Sequence, residues 1–108
     1  MRILFDECVP KSLKREFVDL DITAVSEMGW SETKNGALLQ LMSVENFDIL
    51  LTSYQNIKYV QNLQKADVAV IVMVAYTNRV SDLLPLVPKV REILTAIIAG
   101  EIIEVTGN

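Results

Sequence analysis

Short apolar runs alternate with amphipathic stretches along the chain, regularly enough to read as a series of strands and helices. Residues 2–5 predict a short strand. After Pro10, Leu13, Phe17 and Leu20 recur at helical spacing with Lys11, Lys14, Arg15 and Glu16 largely off that stripe, which predicts a first helix. Ile22, Thr23, Ala24 and Val25 predict a second strand, and residues 26–35 a polar connection that carries Met28, Gly29 and Trp30. Thr33 or Asn35 is placed to cap a second helix over 37–45, where Leu38, Leu41 and Met42 share a face and Asn46 ends the element. Residues 47–52 predict a third strand and 53–56 a polar turn. A short helix over 57–64 follows, with Tyr59, Val60 and Leu63 inward.

Residues 68–74 are an unbroken apolar run too short to cross a bilayer, so they read as a central strand of a parallel sheet, covered on both faces. Leu83, Leu86, Val87, Val90, Ile93, Leu94, Ile97 and Ile98 then keep a period of three to four over the longest predicted helix. Pro85 and Pro88 distort its first turns and Gly100 stops it. Residues 101–105 alternate charged and apolar positions, as a half-exposed edge strand does. The order is β-α-β-α-β-(α)-β-α-β, a single α/β domain over 1–108 with a mostly parallel, roughly five-stranded sheet and right-handed crossovers that place helices on both faces. The loops leaving strands one, three and four then meet at one sheet edge. They bring together Asp6 and Glu7, residues 52–56 and residues 77–82. Asp48 and Asp67 begin their strands, more than about 10 Å from that edge, and are excluded.

Composition narrows the chemistry. Apolar residues make up 51% of the chain and charged residues 22%, as in one globular domain. The net charge of −4 rules out a broad basic footprint, so any nucleic-acid contact must be local. The chain has no histidine, which excludes Ser-His-Asp and Cys-His nucleophile systems and histidine-containing zinc sites. The single cysteine, Cys8, excludes an internal disulfide and thiolate metal clusters and points to a reducing, cytoplasmic compartment; no signal peptide is expected. Neither G-x-x-x-x-G-K-[ST] nor G-x-G-x-x-G occurs. Carboxylate chemistry with a hard cation remains, or binding without chemistry.

Asp6 and Glu7 stand at the C-terminal end of the first strand, where open α/β sheets present ligand sites. Asp6 is a metal- or phosphate-facing group, or a capping carboxylate for the first helix; Glu7 reads more simply as the helix-start acid. Asn56 and Asn78 offer amide oxygens to a ligand or to their own turns. Asp82, after Ser81 and before an apolar helix, is most simply a cap. Lys34, Lys58 and Arg79 are placed to hold a nucleic-acid backbone, or are ordinary surface cations. Trp30 reads as a packed lid residue rather than a base-stacking platform, and Cys8 as a small buried filler beside the site with no base to activate it.

Five segments in order match one pattern: residues 1–10, Glu27-Met28-Gly29-Trp30 through Lys34-Asn35-Gly36, Phe47-Asp48-Ile49-Leu50-Leu51-Thr52, residues 56–62, and Asn78-Arg79 with Leu83-Leu84-Pro85. Together they resemble the small stand-alone PIN-like domains over nearly the whole chain. The resemblance implies a PIN-type three-layer α/β/α sandwich. It also implies a metal-dependent, toxin-like endoribonuclease of toxin–antitoxin pairs, using Mg²⁺ or Mn²⁺. Asp6 and Glu7 would hold the ion, with Asn56 a neutral oxygen ligand, and Lys34, Asn35, Lys58, Asn78 and Arg79 would meet RNA. The chain departs from the pattern after the third strand. Where the resemblance expects Thr-x-Asp-x-Asn it reads Thr52-Ser53-Tyr54-Gln55-Asn56, so Tyr54 replaces a carboxylate and the expected activity is reduced or lost. The alternative is a catalytically silent module that binds RNA, an antitoxin-like protein or its own copy. The apolar excess and the long C-terminal helix predict a homodimer, with no membrane partner.

Overall fold

The computed structural model describes residues 1–33, 35–53 and 67–107, the side chains of residues 35 and 36 excepted. The apolar runs become β1 (Arg2–Phe5), β2 (Asp21–Ala24), β3 (Ile49–Ser53), β4 (Ala69–Val74) and β5 (Ile102–Thr106). They form one all-parallel sheet in the order β2-β1-β3-β4-β5. Parallel strands covered on both faces need apolar side chains at successive positions, and β3 and β4 supply them. Along each strand the side chains alternate between two cores. Ile3, Phe5, Ile49, Leu51, Ile71 and Met73 face one, with Leu13, Phe17, Leu86, Val90 and Leu94; Leu4, Leu50, Val70 and Val72 face the other, with Leu38, Leu39, Met42 and Phe47. The result is an α/β sandwich with helical segments on each face of the sheet.

The first helix is a 3-10 helix, Lys11–Phe17, rather than the expected α-helix. The chain must return from the top of β1 to the bottom of β2, roughly 13 Å for a four-residue strand. Seven 3-10 residues rise about 14 Å, whereas seven α-helical residues rise about 10.5 Å. Leu13 and Phe17 still point inward, and the Phe17 ring meets Phe5 edge-on at 6.1 Å. A second 3-10 turn, Val25–Met28, occupies part of the expected polar connection and ends at Gly29, whose φ of 74° suits glycine. Helix α1 spans Asn35–Val44. Asn46, at φ 63°, terminates it as expected, and the Phe47 N–H closes onto the Met42 carbonyl at 2.9 Å. That closure removes Phe47 from β3, which begins two residues later than the pattern suggested.

The expected long C-terminal helix is divided. Pro85 and Pro88 each lack the N–H that an α-helix needs, and the chain forms α2 (Val80–Leu83), a 3-10 turn Leu84–Leu86 and α3 (Val87–Leu94). Helix α3 stops at Leu94, well before Gly100; the Thr95 hydroxyl donates to the Glu92 carbonyl at 2.7 Å, and the Thr95 and Ala96 N–H groups bond carbonyls three residues back. Ile98, predicted inward, is consequently exposed. The predicted helix over 57–64 lies outside the described residues.

The handedness of the connections was not foreseen. From β1 to β2 the chain steps one way along the sheet, through the 3-10 helix on the first-core face. From β4 to β5 it steps the other way, through α2 and α3 on that same face. Two parallel crossovers with opposite steps on one face have opposite hands, so the right-handed rule fails for one of them. The β2-to-β3 passage runs over the other face through α1 and shares the hand of the first. The α3 segment is tied to the 3-10 helix by Arg91, which pairs with Asp19 at 2.6 Å, donates to the Glu16 carbonyl at 3.1 Å and lies 5.8 Å from the Phe17 ring centre. The Arg91 guanidinium holds the Asp19 carboxyl below the ordinary carboxylate range. Lys14, helped by the Ala24 N–H, does the same for Glu27.

Candidate functional site

Because β1 is followed in sequence by β2 on one side and paired with β3 on the other, the chain leaves β1 and returns to β3 over opposite faces. The crevice beyond the carboxyl ends of β1 and β3 is therefore a switch point of the kind where open sheets bind ligands. Asp6 and Thr52 stand there. The Asp6 N–H extends the β1–β3 ladder to the Leu51 carbonyl at 2.9 Å, and its own carbonyl accepts from the Val9 N–H at 3.0 Å, which turns the chain out of the strand.

The Asp6 side chain is only 5% exposed. Its Oδ2 accepts the Thr52 hydroxyl at 2.7 Å and its Oδ1 accepts the Glu7 N–H at 2.8 Å, so the buried carboxylate is satisfied by named donors. Thr52 has one proton and commits it to Asp6. At the 3.5 Å contact between Thr52 Oγ1 and Cys8 Sγ, the thiol must therefore donate. Ser53 Oγ in turn donates to Cys8 Sγ at 3.1 Å. The bonds run in one direction, Ser53 to Cys8 to Thr52 to Asp6, and end on the carboxylate. Cys8 is thus a half-buried link in this chain. Sequence reasoning undervalued Thr52, whose signal was a hydroxyl closing an otherwise apolar strand.

Glu7 is exposed, and its Oε2 accepts the Glu32 N–H at 3.3 Å; Glu32 has φ 67°. Neither Asp6 nor Glu7 caps the following helix. Its N-cap is Pro10, without a side-chain bond, and its first turn holds no acid.

The third loop, after β4, is folded around Thr77. Its hydroxyl donates to Asp82 Oδ2 at 2.5 Å and accepts the Arg79 N–H at 3.0 Å. Asp82 therefore sits in the first turn of α2, held by a side chain rather than capping the backbone itself. Asn78 is half-buried and its Oδ1, sealed from solvent, has no donor among the described residues. Arg79 is exposed. Asn35 begins α1; Lys34, Tyr54, Asn56 and Lys58 lie outside the described residues. Trp30 is half-buried and packs edge-on against Phe47 at 5.8 Å, at the margin of the second core.

Asp48 and Asp67 precede β3 and β4 at the opposite edge of the sheet, as expected, beside a cavity of about 310 Å³ also lined by Ile49 and Ile97. Among the described residues no group of three or more Cys, Asp or Glu side chains is placed to hold a metal ion, and no helix is long and apolar enough to cross a membrane. Comparison of the chain with protein-family models, with curated proteins and with solved structures gave no match.

Proposed function

We propose that the chain is a PIN-like domain of the toxin-like, metal-dependent endoribonuclease type, working in the cytoplasm with low turnover. The observation that carries this reading is Asp6, a buried carboxylate fixed by Thr52 at the switch point of the sheet. Among the described residues the donor set is one or two carboxylates, which suits a hydrated Mg²⁺ or Mn²⁺. Asp6 and Glu7 would hold it, with Asn56 as a neutral oxygen, and the bound ion would supply an activated water and neutralise phosphate charge. Asp6 contributes a fixed negative oxygen pair, and Glu7 an exposed carboxylate that can swing. Tyr54, where the resemblance expects aspartate, accounts for the low turnover. Titration of Mn²⁺ and Mg²⁺ into ¹⁵N-labelled wild type and Asp6→Asn tests it: metal-induced shifts around residues 5–8 and 51–53 are expected in wild type and absent from the variant. Shifts that persist in Asp6→Asn, or RNA cleavage that survives it, would refute the assignment.

The second reading is a silent PIN-like module that binds RNA, an antitoxin-like protein or a second copy. It is favoured by the engagement of both Asp6 oxygens within the protein. It predicts no metal-dependent cleavage, with Tyr54→Asp gaining some; strong wild-type turnover would end it.

A further inference from the structure

The β4 loop presents a pair of side chains that the metal site does not use. Tyr76 is 96% exposed, the most exposed of the large hydrophobic side chains among the described residues. Three residues on, Arg79 is also exposed. Arg2 and Arg91 are ion-paired, whereas Arg79 has no ion pair among the described residues. The loop between them is held by Thr77, which grips the Arg79 N–H and Asp82 at once. An aromatic ring and a guanidinium are therefore offered to solvent on a turn whose backbone is held at Arg79, so the ordering still to be met on binding is that of the side chains.

The register places this turn beside the Asp6 edge. Asp6 bonds to Leu51 and Thr52, and Thr52 pairs with Val72, four residues before Tyr76. Two strand spacings across and at most four residues along put the Tyr76 backbone within roughly 16 Å of Asp6, a separation that a short stretch of single-stranded polynucleotide spans. Asn78 lies between the two exposed groups in sequence, with its amide oxygen buried and without a donor among the described residues.

Resting on the nuclease-type reading above, we infer that Tyr76 and Arg79 form a nucleotide-binding tip: the Tyr76 ring stacks on a base of a single-stranded polynucleotide and the Arg79 guanidinium contacts the neighbouring phosphate. The net charge of −4 argues against a broad basic footprint, so a local stack plus one cation is the form of recognition that suits its composition.

The test is fluorescence anisotropy of labelled ten-nucleotide RNA and DNA single strands and of a duplex, in EDTA, over a salt series. Tyr76→Ala should weaken single-strand binding about 5- to 150-fold, the equivalent of about 1–3 kcal/mol, and Tyr76→Trp should retain it. Arg79→Gln should reduce the salt slope by about 0.7. The RNA and DNA arms show which strand is preferred. Because Tyr76 touches almost nothing, the variant's circular dichroism and melting should match wild type. Unchanged binding by Tyr76→Ala, or no single-strand binding by wild type, overturns the inference even where metal shifts at Asp6 persist. Tyr76-dependent binding without metal shifts upholds it and removes the metal reading instead. A dimer that Tyr76→Ala dissociates while strand binding is unchanged reassigns the face to a protein contact and also overturns it.

Discussion

Replacing Thr52 with valine should remove the bond that fixes Asp6 while nearly keeping the side-chain shape. Thr52 is fully buried, and its hydroxyl meets the Asp6 carboxylate at 2.7 Å. A hydrogen bond to a charged group contributes about 1.5–3 kcal/mol net. The added methyl offsets less than about 1 kcal/mol. The expected loss is therefore about 1–2 kcal/mol, a fall of roughly 4–10 °C in Tm for a chain of this size. Urea unfolding followed by circular dichroism should show a lower midpoint with an unchanged slope, because the surface exposed on unfolding does not change. The same substitution in an Asp6→Asn background should cost less, since the acceptor is no longer charged, and the difference is the coupling energy. Equal stability of Thr52→Val and wild type, with strict additivity in the cycle, would refute the claim that this bond holds the carboxylate in place.

The surface ion pairs set a pH dependence. Asp19 and Glu27 titrate lower in the folded chain than unfolded, so each favours the fold above its unfolded value of about 4 and loses that contribution as pH falls through the folded value. Asp19→Asn and Glu27→Gln should each flatten the decline of Tm below about pH 4, more visibly at low salt than high, and identical acid limbs would contradict the pairing. In the core, Phe17→Ala should cost about 3–5 kcal/mol, whereas Val18→Ala beside it, at 84% exposure, should stay within about 0.5 kcal/mol of wild type. A small effect at Phe17 in the same unfolding assay would mean that the 3-10 segment does not belong to the core.

What the residue pattern revealed was whatever depends on neighbours in sequence. The alternation of Leu4 against Ile3 and Phe5, and the unbroken run over 68–74, specify strands because each side chain's partner face repeats every two residues. The four-residue spacing of Leu13 and Phe17 is that of an α-helix, since residues three apart align in a 3-10 helix; the span the chain must cross overrides it. Pro85 and Pro88 announce a break, but Thr95 is a common helix residue and gives no such notice. Strand order and the opposite-handed crossover come from packing across the sheet. Asp6 was visible as an acid at a strand end, and the topology brought the loop from Thr52 beside it; the bond between the two was not legible, because the pairing of Phe5 with Leu51 sets them side by side.

Asp6 and Glu7 are adjacent in sequence yet belong to different parts of the structure, and this bears directly on any shared ion. Asp6 is fastened to the centre of the sheet by Thr52, whose position is reinforced by Cys8 and Ser53. Glu7 is fastened to the turn ahead of α1 by one solvent-exposed bond of 3.3 Å, longer than the usual range for N–H to oxygen. Burial and cooperative donors resist movement of the first; little resists movement of the second. In the proposed site Asp6 is therefore the fixed ligand and Glu7 the adaptable one, which must leave the Glu32 N–H before it can join an ion beside Asp6. One rigid and one recruited carboxylate would hold an ion weakly, which accords with the low turnover proposed for this site.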